Sequence, residues 1–98
     1  MQTRILSRTQ LGLPILAHDF GPQQMQPSIV SNIKPPLLPR VLILGGVHGD
    51  EIEGVVCARG LLDAFLQDFP FQLQVTLIPE FNPEGVLLKT RGNGNGVD

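Results

Sequence analysis

The stretch "VLILGGVHGDEIEG", residues 41–54, decides the fold. Four aliphatic residues run without a polar break into Gly45 and Gly46, the pattern of a central parallel strand covered on both faces. From Glu51 to Phe69 the apolar residues shift to helical spacing, with Ile52, Val55, Val56, Leu62 and Phe65 on one face and Glu53, Asp63 and Gln67 breaking it. Pro70 ends that segment, because proline has no N–H to donate and its ring clashes with the preceding turn. "FQLQVTLIP", residues 71–79, alternates and then turns apolar, as a second strand does. Strand, helix, strand in this order predicts a βαβ unit with parallel strands and a right-handed crossover.

Working outward, "RILSRT" and "LPILAHDF" flank "QLG" and read as two strands joined by a turn. Residues 21–39 hold Pro22, Pro27, Pro35, Pro36 and Pro39, and are expected to form a loop. The tail, "EFNPEGVLLKTRGNGNGVD", is rich in glycine and asparagine and is expected to be mostly loop. The fold class is therefore α/β: a hairpin followed by a βαβ unit, within one domain spanning residues 1–98.

Composition narrows the function classes. A hydrophobic content of 42% permits a core, and a net charge of −2 argues against a nucleic-acid surface. Cys57 is the single cysteine, so no internal disulfide can form, which suits a reducing compartment. No apolar run approaches the roughly 20 residues that span a bilayer. The first 20 residues lack a basic leader followed by an apolar block, so a cytoplasmic location is the expectation. Cys57 falls inside the predicted helix and is read as a small buried hydrophobe.

The chemistry concentrates at His48. Ligands of open α/β sheets bind beyond the carboxyl ends of the strands, and His48 stands just past such an end. Gly45, Gly46 and Gly49 allow backbone conformations and close approaches that larger residues resist. Glu51, three residues on, shares a side of the turn with His48. An imidazole nitrogen and a carboxylate oxygen make two of the three protein ligands of a His₂Glu zinc site, whose fourth position takes water. Other readings of the same residues stand beside this one. His48 could cap the helix or face solvent, and Glu51 could be there because acids favour helix N-termini. "GNGNG" lacks the Lys-Ser/Thr of a phosphate loop. His18 reads as a hairpin histidine rather than a third ligand.

"GGVHGDEIEG", then "IPEFNPEG", then "KTRGNGNGVD" resemble, in order and spacing, elements of the zinc carboxypeptidase (carboxypeptidase A-like) family. The H-G-D-E form and the short path from Arg91 to Asp98 look most like its bacterial murein peptide amidase branch. The resemblance covers residues 41–98 well and residues 1–20 loosely. It implies the N-terminal part of a mixed-sheet, helix-flanked catalytic domain that hydrolyses a peptide or amide bond, in cell-wall peptides for that branch. It implies zinc as cofactor, with His48 and Glu51 as its first two ligands. Arg91 matches the arginine that polarises the scissile carbonyl and contacts substrate, while Asn82, Pro83 and Gly85 match a shaping loop. The third ligand, the general-base glutamate and the asparagine–arginine pair that follows "GVD" in the family are absent from this chain.

The chain is accordingly expected to be part of a longer enzyme, inactive alone. Two alternatives stay open. One is an N-acyl amino acid deacylase of the succinylglutamate desuccinylase/aspartoacylase type, which shares the H-G-x-E start. The other is a fragment without catalysis. "NPEG" and "GNGNGVD" lean towards the peptidase. The expected partner is a peptide or amino-acyl amide substrate, with neither nucleic acid nor membrane. An uncovered sheet edge would make the isolated chain self-associate.

Overall fold

The computed structural model of the protein describes residues 1–22 and 38–98, so the proline-rich loop read over 21–39 falls for the most part outside the described residues. The elements are β1 (Gln2–Arg8), β2 (Pro14–Phe20), β3 (Arg40–Leu44), α1 (Ile52–Gln67), β4 (Gln74–Ile78) and α2 (Pro83–Leu88). They form a mixed α/β structure around one four-stranded sheet of order β1-β2-β4-β3.

The hairpin and the βαβ unit both form. β1 and β2 pair antiparallel, with Thr3 opposite His18 and Ile5 opposite Leu16, and an irregularity between Ile5 and Ser7. The turn closes because the Thr9 hydroxyl accepts from the Leu13 amide at 3.1 Å. β3 and β4 pair parallel, with Val41 opposite Val75 and Leu44 opposite Ile78. β4 also pairs antiparallel with β2, placing Phe20 opposite Val75. β4 is therefore the interior strand, and Val75, Leu77 and Ile78 are among its buried residues. With Ala17, Phe20, Val55 and Ala58 they make up the core.

Two expectations are corrected, and a third is refined. β3 was expected in the centre, yet among the described residues it is an edge strand, with Leu42 61% exposed and Val41 and Leu44 both 41% exposed. An unbroken apolar run marks a strand suited to cover on both faces, but not whether that cover lies in the same chain. Cys57 was expected to be buried and is exposed, because α1 buries only Val55 and Ala58 and turns the rest of its wide apolar face outward. The tail is mostly loop, as expected, but it also contains the six-residue α2. Asn82 caps that helix by accepting from the Gly85 amide at 3.0 Å, Pro83 takes the first turn, and Lys89 ends it in the left-handed region at φ 57°. Asn-Pro-Glu is a helix-start signal that the surrounding glycines obscured.

At the far end of α1 four phenylalanines gather. Phe65 meets Phe20 edge-on at 5.4 Å and Phe69 at 5.0 Å, and Phe69 meets Phe71 at 5.2 Å.

Candidate metal and amide-hydrolysis site

The site is built at the carboxyl end of β3, where pairing with the β4 side continues past both strands. Gly45 donates to the Ile78 carbonyl at 2.8 Å, and the Phe81 and Asn82 amides donate back to the Gly45 and Gly46 carbonyls at 2.9 Å. This holds residues 45–48 flat against 79–82. Gly46 takes a φ of +64°, which glycine adopts without strain. Gly49 lies so close to the backbone of Gly85 and Val86 that any Cβ would collide with it. The turn carrying His48 can therefore seat directly on the start of α2.

Asn82 ties three segments together. Its side-chain oxygen caps α2, and its amide nitrogen donates to the Val47 carbonyl at 3.3 Å and the Gly92 carbonyl at 3.0 Å. This brings the arm formed by residues 91–98 back over the His48 turn.

There the side chains of His48, Glu51, Arg91 and Asp98 converge. His48 Nδ1 lies 3.6 Å from Glu51 Oε2, and His48 Nε2 lies 3.0 Å from Asp98 Oδ1. Arg91 Nε donates to Asp98 Oδ2 at 2.8 Å, and its Nη1 stands 3.8 Å from Glu51 Oε1. Structure thus brings together all three sequence-derived site residues: His48, Glu51 and Arg91. It adds Asp98, read in the sequence only as part of "GVD". The i,i+3 spacing exposed the His48–Glu51 pair, whereas 50 residues separate Asp98 from His48 and no local pattern links them.

The hydrogen of each bond follows from the charges. The Arg91 guanidinium bonded to Asp98 holds that carboxyl below the usual carboxylate range, and His48 adds to the effect. The same bond raises the Arg91 pKa. An ionised Asp98 only accepts, so His48 Nε2 carries the proton between them. In the neutral ring Nδ1 is then a lone pair aimed towards a carboxylate oxygen 3.6 Å away. That separation is too long for a hydrogen bond. It is close to the spacing of about 3.3 Å between two ligands of one tetrahedral zinc ion, given bonds of about 2.0–2.1 Å.

Stability does not account for the cluster. Glu51, Arg91 and Asp98 have side chains more than half exposed, and exposed ion pairs contribute about 0–1 kcal/mol. A cavity of about 480 Å³ opens beside them, lined by His48, Asn82, Arg91, Val97 and Asp98 with Phe81. Among the described residues no group of three or more His, Cys, Asp or Glu side chains could share one metal ion. Asp98 is not a third ligand here, because it faces the opposite ring nitrogen. His18 lies elsewhere, on β2, with Nδ1 2.8 Å from the Thr3 hydroxyl and beside a separate cavity. Glu80 pairs with Arg59 at 2.7 Å.

Comparisons with known proteins agree with this arrangement. The chain is similar in structure to the ectoine utilization protein EutE (DoeB) from Ruegeria pomeroyi, with a TM-score of 0.66, 17% identity, and coverage of 97% of this chain and 27% of that one. It is similar to a succinylglutamate desuccinylase/aspartoacylase from Rhodobacter sphaeroides, with a TM-score of 0.59, 24% identity, and coverage of 94% and 25%. It is also similar to a metallo-carboxypeptidase from Burkholderia cenocepacia, with a TM-score of 0.59, 19% identity, and coverage of 98% and 26%. These likenesses show the carboxypeptidase-like fold, of which this chain spans about a quarter of each relative's length. No curated protein matches the chain. The profile of the succinylglutamate desuccinylase/aspartoacylase catalytic domain matches residues 37–94, a span that takes in β3, α1, β4, α2, His48, Glu51 and Arg91. That match extends over more than half of the chain, and the protein belongs to the succinylglutamate desuccinylase/aspartoacylase family.

Proposed function

We propose that this chain supplies part of the active site of a zinc-dependent amide hydrolase acting on N-acyl amino acids. The observation that carries the reading is His48 Nδ1 set 3.6 Å from Glu51 Oε2, while Nε2 is bonded to Asp98. A cation between that nitrogen and oxygen would gain two ligand bonds. The donors present fit two of the three protein positions of such a site, and the remaining ligand is not among the described residues. When bound, zinc supplies Lewis acidity.

The chain's own residues do the rest. Asp98 holds the Nε2 proton, which fixes the tautomer and orientation of the His48 ring and raises its basicity as a ligand. Arg91 keeps its charge at any working pH and offers several N–H donors in a rigid fork. Placed beside Glu51, it is available to the oxygen on which negative charge grows as water adds to an amide carbonyl. The family profile over residues 37–94 favours the N-acyl amino acid as substrate. A second reading, cleavage of γ-D-glutamyl-diaminopimelate amides in cell-wall peptides, is supported by the "NPEG" and "GNGNGVD" elements.

The test is metal analysis with turnover of N-succinyl- and N-acetyl-amino acids against that peptide. A protein that extends this chain with a further histidine and a glutamate is expected to hold zinc and to favour one substrate class. In it, His48→Ala should abolish both properties, and unchanged zinc content would sink the site assignment. The 98-residue chain alone should bind zinc weakly and turn over neither substrate. β3, an edge strand among the described residues, should make it self-associate, which light scattering at increasing concentration would detect. A cytoplasmic setting rests on the lone Cys57; no helix among the described residues is long and apolar enough to cross a membrane.

A further inference from the structure

The reading above leaves one buried acid unused. Glu84, in the first turn of α2, is 5% exposed, and among the described residues it is the one charged residue that is buried. A buried carboxylate is costly unless donors surround it. Glu84 finds them on two segments distant in sequence. Oε1 accepts from the Leu11 amide at 3.2 Å, in the β1–β2 turn, and the nearby Thr9 hydroxyl helps to lower the carboxyl's pKa. Oε2 accepts from the Gly94 amide at 2.9 Å, midway along the arm between Arg91 and Asp98. Gly94 approaches so closely that a Cβ there would run into Oε2. Apart from the Asp98–His48 and Arg91–Glu51 contacts at its two ends, the arm is attached by the Asn82 amide at its base, an Asn95–Gln10 contact, and turns within itself.

We infer that Glu84 is a positioning residue: its carboxylate clamps the 91–98 arm to the hairpin turn, and so sets Arg91 and Asp98 against His48 and Glu51. The inference deepens the proposed amide-hydrolase site and rests on that reading for its functional meaning, but the clamp needs neither metal nor substrate to be observed. Each carboxylate oxygen serves one segment. An amide in its place would present an N–H to one of the two donors, and a methyl group would reach neither. The clamp acts through the arm and touches no reacting atom.

The experiment is amide hydrogen exchange by NMR on the dilute 98-residue chain, together with the Arg91 Nε–H resonance. That proton bonds to Asp98 and serves as a signature of the assembled arm. Glu84→Gln should speed exchange at Gly94 and Val97 about tenfold or more and broaden or shift the Arg91 Nε–H signal, while Leu77 in the core keeps its protection. Gly94→Ala attacks the same contact from the other side with Glu84 intact, and should give the same selective release. Asp19→Asn, which breaks the distant Arg4 and Thr76 contacts, should leave the arm unchanged. An unmoved Arg91 signal in both arm variants would overturn the inference. So would equal acceleration at Gly94 and Leu77, because that marks general loss of stability. Zinc binding and turnover play no part in the readout, so a failed clamp is distinguishable from a failed hydrolase reading.

Discussion

The two ends of α1 are held by different physics. At its C-terminal end, Phe20, Phe65, Phe69 and Phe71 pack ring against ring, with little directional demand. At its N-terminal end, Val55 and Ala58 are buried beneath the turn, but the side chains that meet at His48 are polar and partly exposed. Position there comes from Asn82, Glu84 and the Arg91–Asp98 pair, each bonded to specific atoms. Apolar packing tolerates small displacements and contributes most of the stability. Directional bonds contribute less, but they fix where a ligand atom sits. Apolar packing runs along the whole of α1, whereas directional bonds are concentrated at the His48 turn.

If that division is right, substitutions at the two ends should differ in kind. The largest effect is expected at Phe20, which is 6% exposed and contacts Phe65 and Phe69. Phe20→Ala should cost about 3–5 kcal/mol, enough to unfold much of a small domain, measured by urea denaturation. A loss as small as that of a surface substitution would break the comparison. Asn82→Ala removes a helix cap and two further bonds. It should cost about 1–2 kcal/mol in the same assay while releasing the Gly92 end of the arm. In a protein that completes the zinc site, Asp98→Asn should leave stability nearly unchanged and weaken zinc affinity about 10–100-fold, read by competition with a chelator. There Arg91→Ala should retain zinc and lower kcat by about 10²–10³.

Acid should separate the ends further. Bonds from Arg4, from Thr9 with Leu11, and from Arg91 lower the pKa values of Asp19, Glu84 and Asp98 respectively. Each therefore binds fewer protons folded than unfolded. Its contribution is complete above the ordinary values of 3.8 for Asp and 4.5 for Glu, and is lost as pH falls through the lower folded values. His18 works in the same direction from higher pH. Burial and Arg59 lower its pKa, so protonation favours the unfolded chain as pH drops through 6.5. Urea midpoints between about pH 6 and about pH 3 should fall throughout, with the arm amides losing protection before Leu77. The smallest effect is expected at Arg59, whose pair with Glu80 is 59% exposed on the arginine side. Arg59→Ala should change stability by no more than about 1 kcal/mol.

The same contrast explains what the sequence revealed. Periodicity reports apolar burial, so the hairpin, β3, α1 and β4 were legible from residues 2–79. His48 and Glu51 were legible because their spacing is local. Asp98 and Glu84 were not, since both act through contacts with residues far away in the chain. The edge position of β3 was hidden for a related reason. "VLIL" records how a strand suits its surroundings, and strand order is set by partners elsewhere. Cys57 was misplaced because the apolar face of α1 is wider than the surface these residues offer it.

The strand order also governs how the chain can fold. β4 lies between β2 and β3, yet it follows both in sequence. Until residue 78 is available, the hairpin and β3 share no hydrogen bond, and the half-made sheet has nothing to close upon. During synthesis, at about 5–20 residues per second, the first three strands must therefore wait for the fourth. Folding is expected to be a late, largely all-or-none event with the slow rate typical of distant strand pairings, and β4 is the strand whose arrival starts it.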